Sequence, residues 1–341
     1  MIPGELIDQF SRGNGSVFVG AGVSVGAGLP NWASLVKSLA DDIEDCPDCS
    51  FLDIAQYYAI VRSRMTLVEH LRRALGIPKD FSTETYETLL DLQIRHFFTT
   101  NFDELLEEAF RRQGIDPNVI AHNEHVSFWD ESKVQVIKLH GDLRDPASIV
   151  ITAEDYEDYF HSHSALADLV KAELQTRTVL FLGYSFNDID LRMILARVSR
   201  ESRKFRRNLF TIQFDPPELA VRDLERRGMK VIVLHPEEGP GGYNRALQTW
   251  LREFAQRLKQ SRQAAATEAQ SEGAAVAGRL TNHNLPPHSE EDLLGRKADF
   301  ARVMEGLRSR YPLITIEGFA GIGKTSLATE VGYACASNRK E

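Results

Sequence analysis

Short apolar, β-branched runs at Ser16–Val19, Phe97–Thr100, Val134–Leu139 and Thr178–Leu182 predict buried strands, and Asn208–Phe214 and Lys230–Leu234 predict two more. Between them, apolar residues recur at helical spacing in Trp32–Asp42, Met65–Leu75, Glu104–Arg112, Glu154–Gln175, Asp190–Ser202 and Pro217–Arg227. Residues 1–12 predict a short amphipathic helix, and Tyr243–Leu258, behind a Gly-Pro-Gly-Gly breaker, predict a closing one. Strands alternating with helices predict an α/β fold over residues 1–258, with a doubly wound, mostly parallel, Rossmann-like sheet. Residues 259–290 turn polar and Ala-rich and then gain prolines, which predicts a linker or a helix-extending tether. A second module is expected at residues 291–341, where a strand at Leu313–Ile316 runs into a glycine-rich loop and a helix from Ser326.

Composition narrows the class. The chain has 341 residues, 43% hydrophobic and 26% charged, which is ordinary for a soluble globular protein. A formal net charge of −9 disfavours general binding to nucleic acid or to an anionic membrane. No apolar stretch is long enough to cross a membrane, and Met1–Phe10 lacks the pattern of a signal peptide, so a cytoplasmic location is expected. The Cys46-Pro-Asp-Cys49 pair has no second pair to complete a four-ligand zinc site. No metal is therefore expected, and the two residues read as reduced thiols in an exposed acidic turn.

The strand ends carry the candidate chemistry, because ligands of open α/β sheets bind beyond the carboxyl ends of the strands. Gly20-Ala21-Gly22 would admit a pyrophosphate close to the backbone, with Ser24 donating, or would form a tight turn without a ligand. A second flexible run, Gly26-Ala27-Gly28, follows at once. Val25 stands where a dehydrogenase fingerprint needs its third glycine, and Asp41 and Asp42 fall in a predicted helix. Hydride transfer is thereby disfavoured. Asn101 is either a helix cap or a site group, and Asp103 suits a cap equally well. His140 closes a strand and precedes Gly141, whereas Asp142 reads as a turn residue. Gly183-Tyr184-Ser185 predicts a turn that contacts phosphate or ribose, with Asp188 and Asp190 capping the next helix. Gln213 to Asp215 is a further candidate contact to an adenosine ribose, and Tyr156–Phe160 reads as an amphipathic helix face with no catalytic part. Near the end of the chain, Gly318, Gly321, Gly323, Lys324 and Thr325 form a phosphate-loop pattern, with Lys324 for the β/γ phosphates and Thr325 for Mg²⁺.

The segments GAGVSVGAGLPNW, TTNFDELLEEAF, KLHGDL and FLGYSFNDIDL, in that order, resemble the sirtuin-like NAD-consuming domains of bacterial antiviral defence proteins. The resemblance covers roughly residues 1–258. It implies NAD⁺ as substrate, held by Gly20, Ala21, Gly22, Ser24, Asp103, Gly183, Tyr184 and Ser185, with Asn31 and Trp32 over the nicotinamide end. It also implies that Asn101 positions the attacking water or ribose and that His140 is the general base. The chain departs from the deacylating sirtuins in lacking the four-cysteine zinc ribbon and the acidic, aromatic and arginine sequence after Pro30. Protein deacylation or ADP-ribosyl transfer thus becomes an alternative, as does a module that senses an NAD-derived nucleotide without turnover.

Leu294-Gly295-Arg296 and the phosphate loop resemble the start of a STAND-type NTPase module. That resemblance implies the front part of a longer protein, with ATP and Mg²⁺ bound only in the intact NTPase domain. It further implies homo-oligomeric assembly and a phage-derived trigger recognised by a C-terminal region.

Overall fold

Each central strand is buried on both faces, which is why the apolar runs are continuous rather than alternating. The computed structural model describes residues 2–184, 208–239, 241–273, 297–308, 315–316 and 323–337. The chain divides into two units, Met1–Ala264 and Ala265–Glu341.

The first unit is built on seven parallel strands: β1 (Gly15–Val19), β2 (His96–Thr99), β3 (Asn118–Ile120), β4 (Gln135–Lys138), β5 (Thr178–Leu182), β6 (Leu209–Phe214) and β7 (Met229–Leu234). Their order across the sheet is β3-β4-β2-β1-β5-β6-β7. The chain thus begins in the middle, winds outward to one edge and returns to β5 on the other side of β1. This reversal opens a crevice at the carboxyl ends of β1 and β5, the place where open α/β sheets bind ligands. Register is fixed by side-chain alternation, since a one-residue slip would turn each buried set to the wrong face. Val17 and Val19 pair beside Leu180 and Leu182 and face one core with Phe97 and Val136. Phe18, Phe98 and Phe181 face the other core. There Phe18 stacks on Phe98 with ring centroids 4.8 Å apart.

The first core is closed by α1 (Gly4–Ser11), α3 (Trp32–Ala40), α5 (Arg64–Ala74), α6 (Glu84–Asp91), α7 (Leu105–Arg112) and α11 (Gly242–Gly273), with α2 (Ala21–Gly26) and α4 (Phe51–Val61) beside the crevice. The second is closed by α8 (Ala153–Ser162), α9 (Ser164–Thr176) and α10 (Glu218–Arg226). Along α11, Leu247, Trp250, Leu251, Phe254 and Leu258 form the buried stripe. Docking continues past Leu258, because the Arg262 guanidinium donates to the carbonyl oxygens of Phe10 at 3.1 Å and Leu92 at 2.9 Å.

The six expected strands are present within a residue or so of their predicted ends, and β3 is added to them. The single helix expected over Glu154–Gln175 is two helices broken at His163. There the buried imidazole stacks on Tyr159 at 5.1 Å, and turning the chain keeps the ring inside. The helix expected at Asp190–Ser202, with its capping residues Asp188 and Asp190, lies outside the described residues.

In the second unit, α12 (Lys297–Arg308) and α13 (Lys324–Ser337) meet where Cys335 Sγ approaches Met304 Sδ at 3.8 Å. Gly323 has φ +84° immediately before α13, whose first residues are Lys324 and Thr325. Gly318 and Gly321 lie outside the described residues. Of the strand expected at Leu313–Ile316 only Thr315 and Ile316 are described, and they are irregular rather than extended in a sheet.

Candidate active site

A cavity of about 350 Å³ opens at the carboxyl ends of β1, β2 and β5 and beside the turn after β4. Its polar lining includes Ser24, Thr100, Asn101, Asp103 and His140, and its apolar lining includes Leu29, Trp32, Phe51, Leu52 and Leu75. Residues distant in sequence, from 21 to 184, therefore converge on one space.

The glycine turns explain how the strand ends approach so closely. Gly22 N donates to Gly183 O at 3.0 Å, and a Cβ on Gly20 would stand 2.6 Å from that same carbonyl oxygen. Gly183 has φ +69°, and a Cβ there would meet Val23 N at 2.7 Å. Gly20 and Gly22 are thus required by packing of the β1 turn on the β5 turn, and it is Ala21, not they, that lines the cavity. Ser185 lies outside the described residues. Tyr184 turns back to β2, its hydroxyl accepting from Thr100 N at 3.2 Å and lying 3.1 Å from Thr100 Oγ1. Gln213, expected near a ribose, is not on the cavity wall. Its amide donates to Tyr184 O at 2.9 Å and holds that turn in place.

A buried hydrogen-bond network orients the polar side chains of the lining. Ser24 Oγ donates to Asp103 Oδ2 at 2.8 Å and accepts from Asn101 Nδ2 at 3.1 Å. A hydroxyl has one proton, so with that proton committed to Asp103 the Asn101 amide must present N–H to Ser24. Its Oδ1 is buried without a hydrogen-bond partner among the described residues, an acceptor suited to a hydroxyl or water entering the cavity. Asp103 joins the network to the start of the next helix. Its Oδ1 also accepts from Leu105 N at 3.1 Å, holding the first turn of α7. Burial pushes the Asp103 carboxyl up, against the opposing pull of Lys138 and the Ser24 hydroxyl. Tyr86, whose hydroxyl is 3.5 Å from Ser24 Oγ, is also pushed up by burial, with the Asp103 charge adding to it.

His140 is 4% exposed and held by its backbone, its carbonyl accepting from Val150 N at 2.9 Å. Gly141 follows with φ +90°, and a Cβ there would stand 2.2 Å from Ser148 O, so only glycine fits. The imidazole meets Tyr156 edge to face, with centroids 5.4 Å apart. Tyr156, read from the sequence only as part of a helix face, therefore lines the cavity beside His140. Asp142 is a turn residue as expected, accepting from Arg144 N at 2.9 Å. Burial alone would raise its carboxyl, but Arg144 and Lys138 outweigh it and hold the group below the usual range.

Asn31 departs from its expected role. It caps α3, accepting from Ser34 N at 2.8 Å, and is exposed off the cavity wall. Trp32 does line the wall, 41% exposed, with the Phe51 ring at 4.2 Å. Phe51 and Leu52 were missed because α4 is apolar on nearly every side and shows no single stripe. Lys138 was missed too, although a lysine inside a run expected to be a buried strand was visible in the sequence.

Among the described residues, no cluster of three or more His, Cys, Asp or Glu side chains is arranged to hold a metal ion. Cys46 and Cys49 are half-buried free thiols. No described helix is long and apolar enough to cross a membrane.

Residues 95–232 match the SIR2-like domain family. The chain is 33% identical over 203 residues to the NAD(+) hydrolase ThsA of Enterococcus faecium, covering 57% of this chain and 42% of that protein. It is 30% identical over 198 residues to the NAD(+) hydrolase ThsA of Acinetobacter baumannii, covering 57% of this chain and 41% of that one. It is 26% identical over 240 residues to the Defense-associated sirtuin 2 of Bacillus subtilis, covering 67% of this chain and 24% of that protein. The chain thus spans about half or less of these relatives' length. Residues 95–232 are thus similar to the SIR2-like domain family and lie within a seven-stranded parallel α/β sheet with a crevice at its switch point.

Proposed function

We propose that residues 1–258 form an NAD⁺ glycohydrolase that releases nicotinamide and ADP-ribose and depletes cellular NAD⁺ in cytoplasmic antiphage defence. The carrying observation is the convergence of Asn101 and His140 on a cavity with a largely apolar lining, in a chain similar to named NAD⁺ hydrolases. Nicotinamide leaves a cationic ring as a neutral molecule, so departure needs no strong acid, and the sugar passes through an oxocarbenium-like state. Asn101 Oδ1 would hold the attacking water, and His140 would accept its proton, a contribution of about 10²–10⁴ in rate. Trp32, Phe51 and Leu52 would take up the planar base and exclude water behind it.

The reading extends to control by a C-terminal STAND-type NTPase that binds ATP and Mg²⁺ through Gly318, Gly321, Gly323, Lys324 and Thr325. Assembly into a homo-oligomer on a phage-derived trigger would switch on the effector.

The test is to incubate the purified chain with NAD⁺ over a protein concentration series and quantify nicotinamide, ADP-ribose and cyclic product. Nicotinamide matched by ADP-ribose supports hydrolysis, and a specific rate that rises with concentration supports assembly. Nicotinamide released only when an acyl-lysine peptide or acceptor protein is added would overturn hydrolysis in favour of group transfer.

A further inference from the structure

We propose that Lys138 is a positioning residue that fixes the Asn101 turn against the His140 turn; this rests on the glycohydrolase reading. Its ammonium is fully buried at the end of β4. It donates to the carbonyl oxygens of Phe102 at 3.2 Å and Asp103 at 2.7 Å, and Glu107 Oε1 stands 2.9 Å away. Two main-chain carbonyls therefore accept from the ammonium, and the Glu107 carboxylate stands beside it as the ion-pair partner. Asp142 Oδ2, from the turn after His140, is 3.7 Å away.

Phe102 and Asp103 lie between the end of β2 and the start of α7, outside any strand ladder. A side chain from the neighbouring strand thus does for this turn what main-chain partners do elsewhere. Asn101 is the residue immediately before Phe102, and His140 is two residues beyond Lys138. One buried cation is the shared anchor of both. Burial pulls its pKa down, but Glu107 and Asp142 outweigh that, so the group stays charged and keeps donating to both carbonyls.

A purely stabilising ion pair and a positioning cation predict different outcomes, because an apolar pair of similar volume often serves stability equally well. In the full chain, Lys138→Met/Glu107→Leu removes both charges of the closest pair, while Asp142 keeps Arg144 and Asp103 keeps its hydrogen bonds from Ser24 Oγ and Leu105 N. The expected result is a native circular dichroism spectrum and cooperative melting, with amide exchange across residues 101–105 at least about tenfold faster. In the same variant kcat should fall about 10²-fold with KM nearly unchanged, the scale of a misplaced catalytic group. Native exchange together with native kcat would overturn the proposal.

Should that pair not fold, Lys138→Arg/Glu107→Asp keeps charge and volume while moving the donors. A fall in kcat at constant KM is expected there too, and unchanged kcat would overturn it. If the wild-type chain released no nicotinamide with any partner present, the glycohydrolase reading would fail. The exchange measurement would still decide the positioning role, unchanged protection at residues 101–105 refuting it.

Discussion

Ser24→Ala removes a single oxygen from the centre of the polar network, and its cost can be worked from the partners left behind. The hydroxyl donates to the Asp103 carboxylate at 2.8 Å and accepts from Asn101 at 3.1 Å. A hydrogen bond to a charged group is worth about 1.5–3 kcal/mol and a neutral one about 0.5–1.5 kcal/mol. Tyr86, at 3.5 Å, adds little. Asp103 keeps its bond from Leu105 N, so one of its oxygens remains served. The expected loss is about 2–4 kcal/mol, which in a domain of this size lowers Tm by roughly 5–15 °C.

Urea unfolding of wild type, Ser24→Ala, Asp103→Ala and the double variant would give the coupling directly. Removing Asp103 first removes the acceptor, so the two losses should fall short of additivity by about 1.5–3 kcal/mol. Nicotinamide release by Ser24→Ala should fall in parallel, because the Asn101 amide is no longer held with Oδ1 toward the cavity. A loss below about 0.5 kcal/mol, or strictly additive effects, would refute the network as drawn.

Other expectations follow from the same contacts. Gly141→Ala should cost about 2–5 kcal/mol, from left-handed strain and a clash with the Ser148 carbonyl. Gly114→Ala, at φ +76° with nothing within 4 Å, should cost only about 1–2 kcal/mol, and equal losses in the two melts would contradict the packing argument. Tyr184→Phe loses the hydroxyl that meets Thr100 and should cost about 1 kcal/mol in the same unfolding assay, with faster exchange of the Thr100 amide as the local signature. Lys138 has a folded pKa raised above its ordinary 10.5, so its stabilisation is fully present below that value and is lost as pH rises through the raised one. Alkaline titration of stability should therefore fall more steeply in wild type than in Lys138→Met/Glu107→Leu, and parallel curves would show that the cation contributes nothing there.

Much of the fold was legible because buried parallel strands announce themselves as continuous apolar runs. Thr178–Leu182 and the turns that follow each central strand were placed by pattern alone. Asn101, Ser24 and His140 were legible as polar residues where such runs end. Other features depend on three-dimensional packing that no local pattern encodes. Gly20 and Gly22 read as ligand-binding glycines, yet their lack of a Cβ answers the approach of Gly183, more than 160 residues away. Asn31 lay in a loop assigned to the ligand, but a free helix N-terminus beside it claims its side chain. Phe51 and Leu52 come from a helix with too much apolar surface to show a stripe, and Tyr156 reaches the cavity from α8 rather than from a strand end. The helix boundary near Leu258 was set by composition, whereas Arg262 and its carbonyl partners carry the docked helix further.

The central claim is that His140 performs NAD⁺ cleavage in this cavity. Purified His140→Ala should be compared with wild type at the same NAD⁺ concentration, nicotinamide being read by chromatography and NAD⁺ binding by calorimetry. The account predicts retained binding with nicotinamide release reduced by about 10²-fold or more. Undiminished release from a folded His140→Ala protein would contradict it.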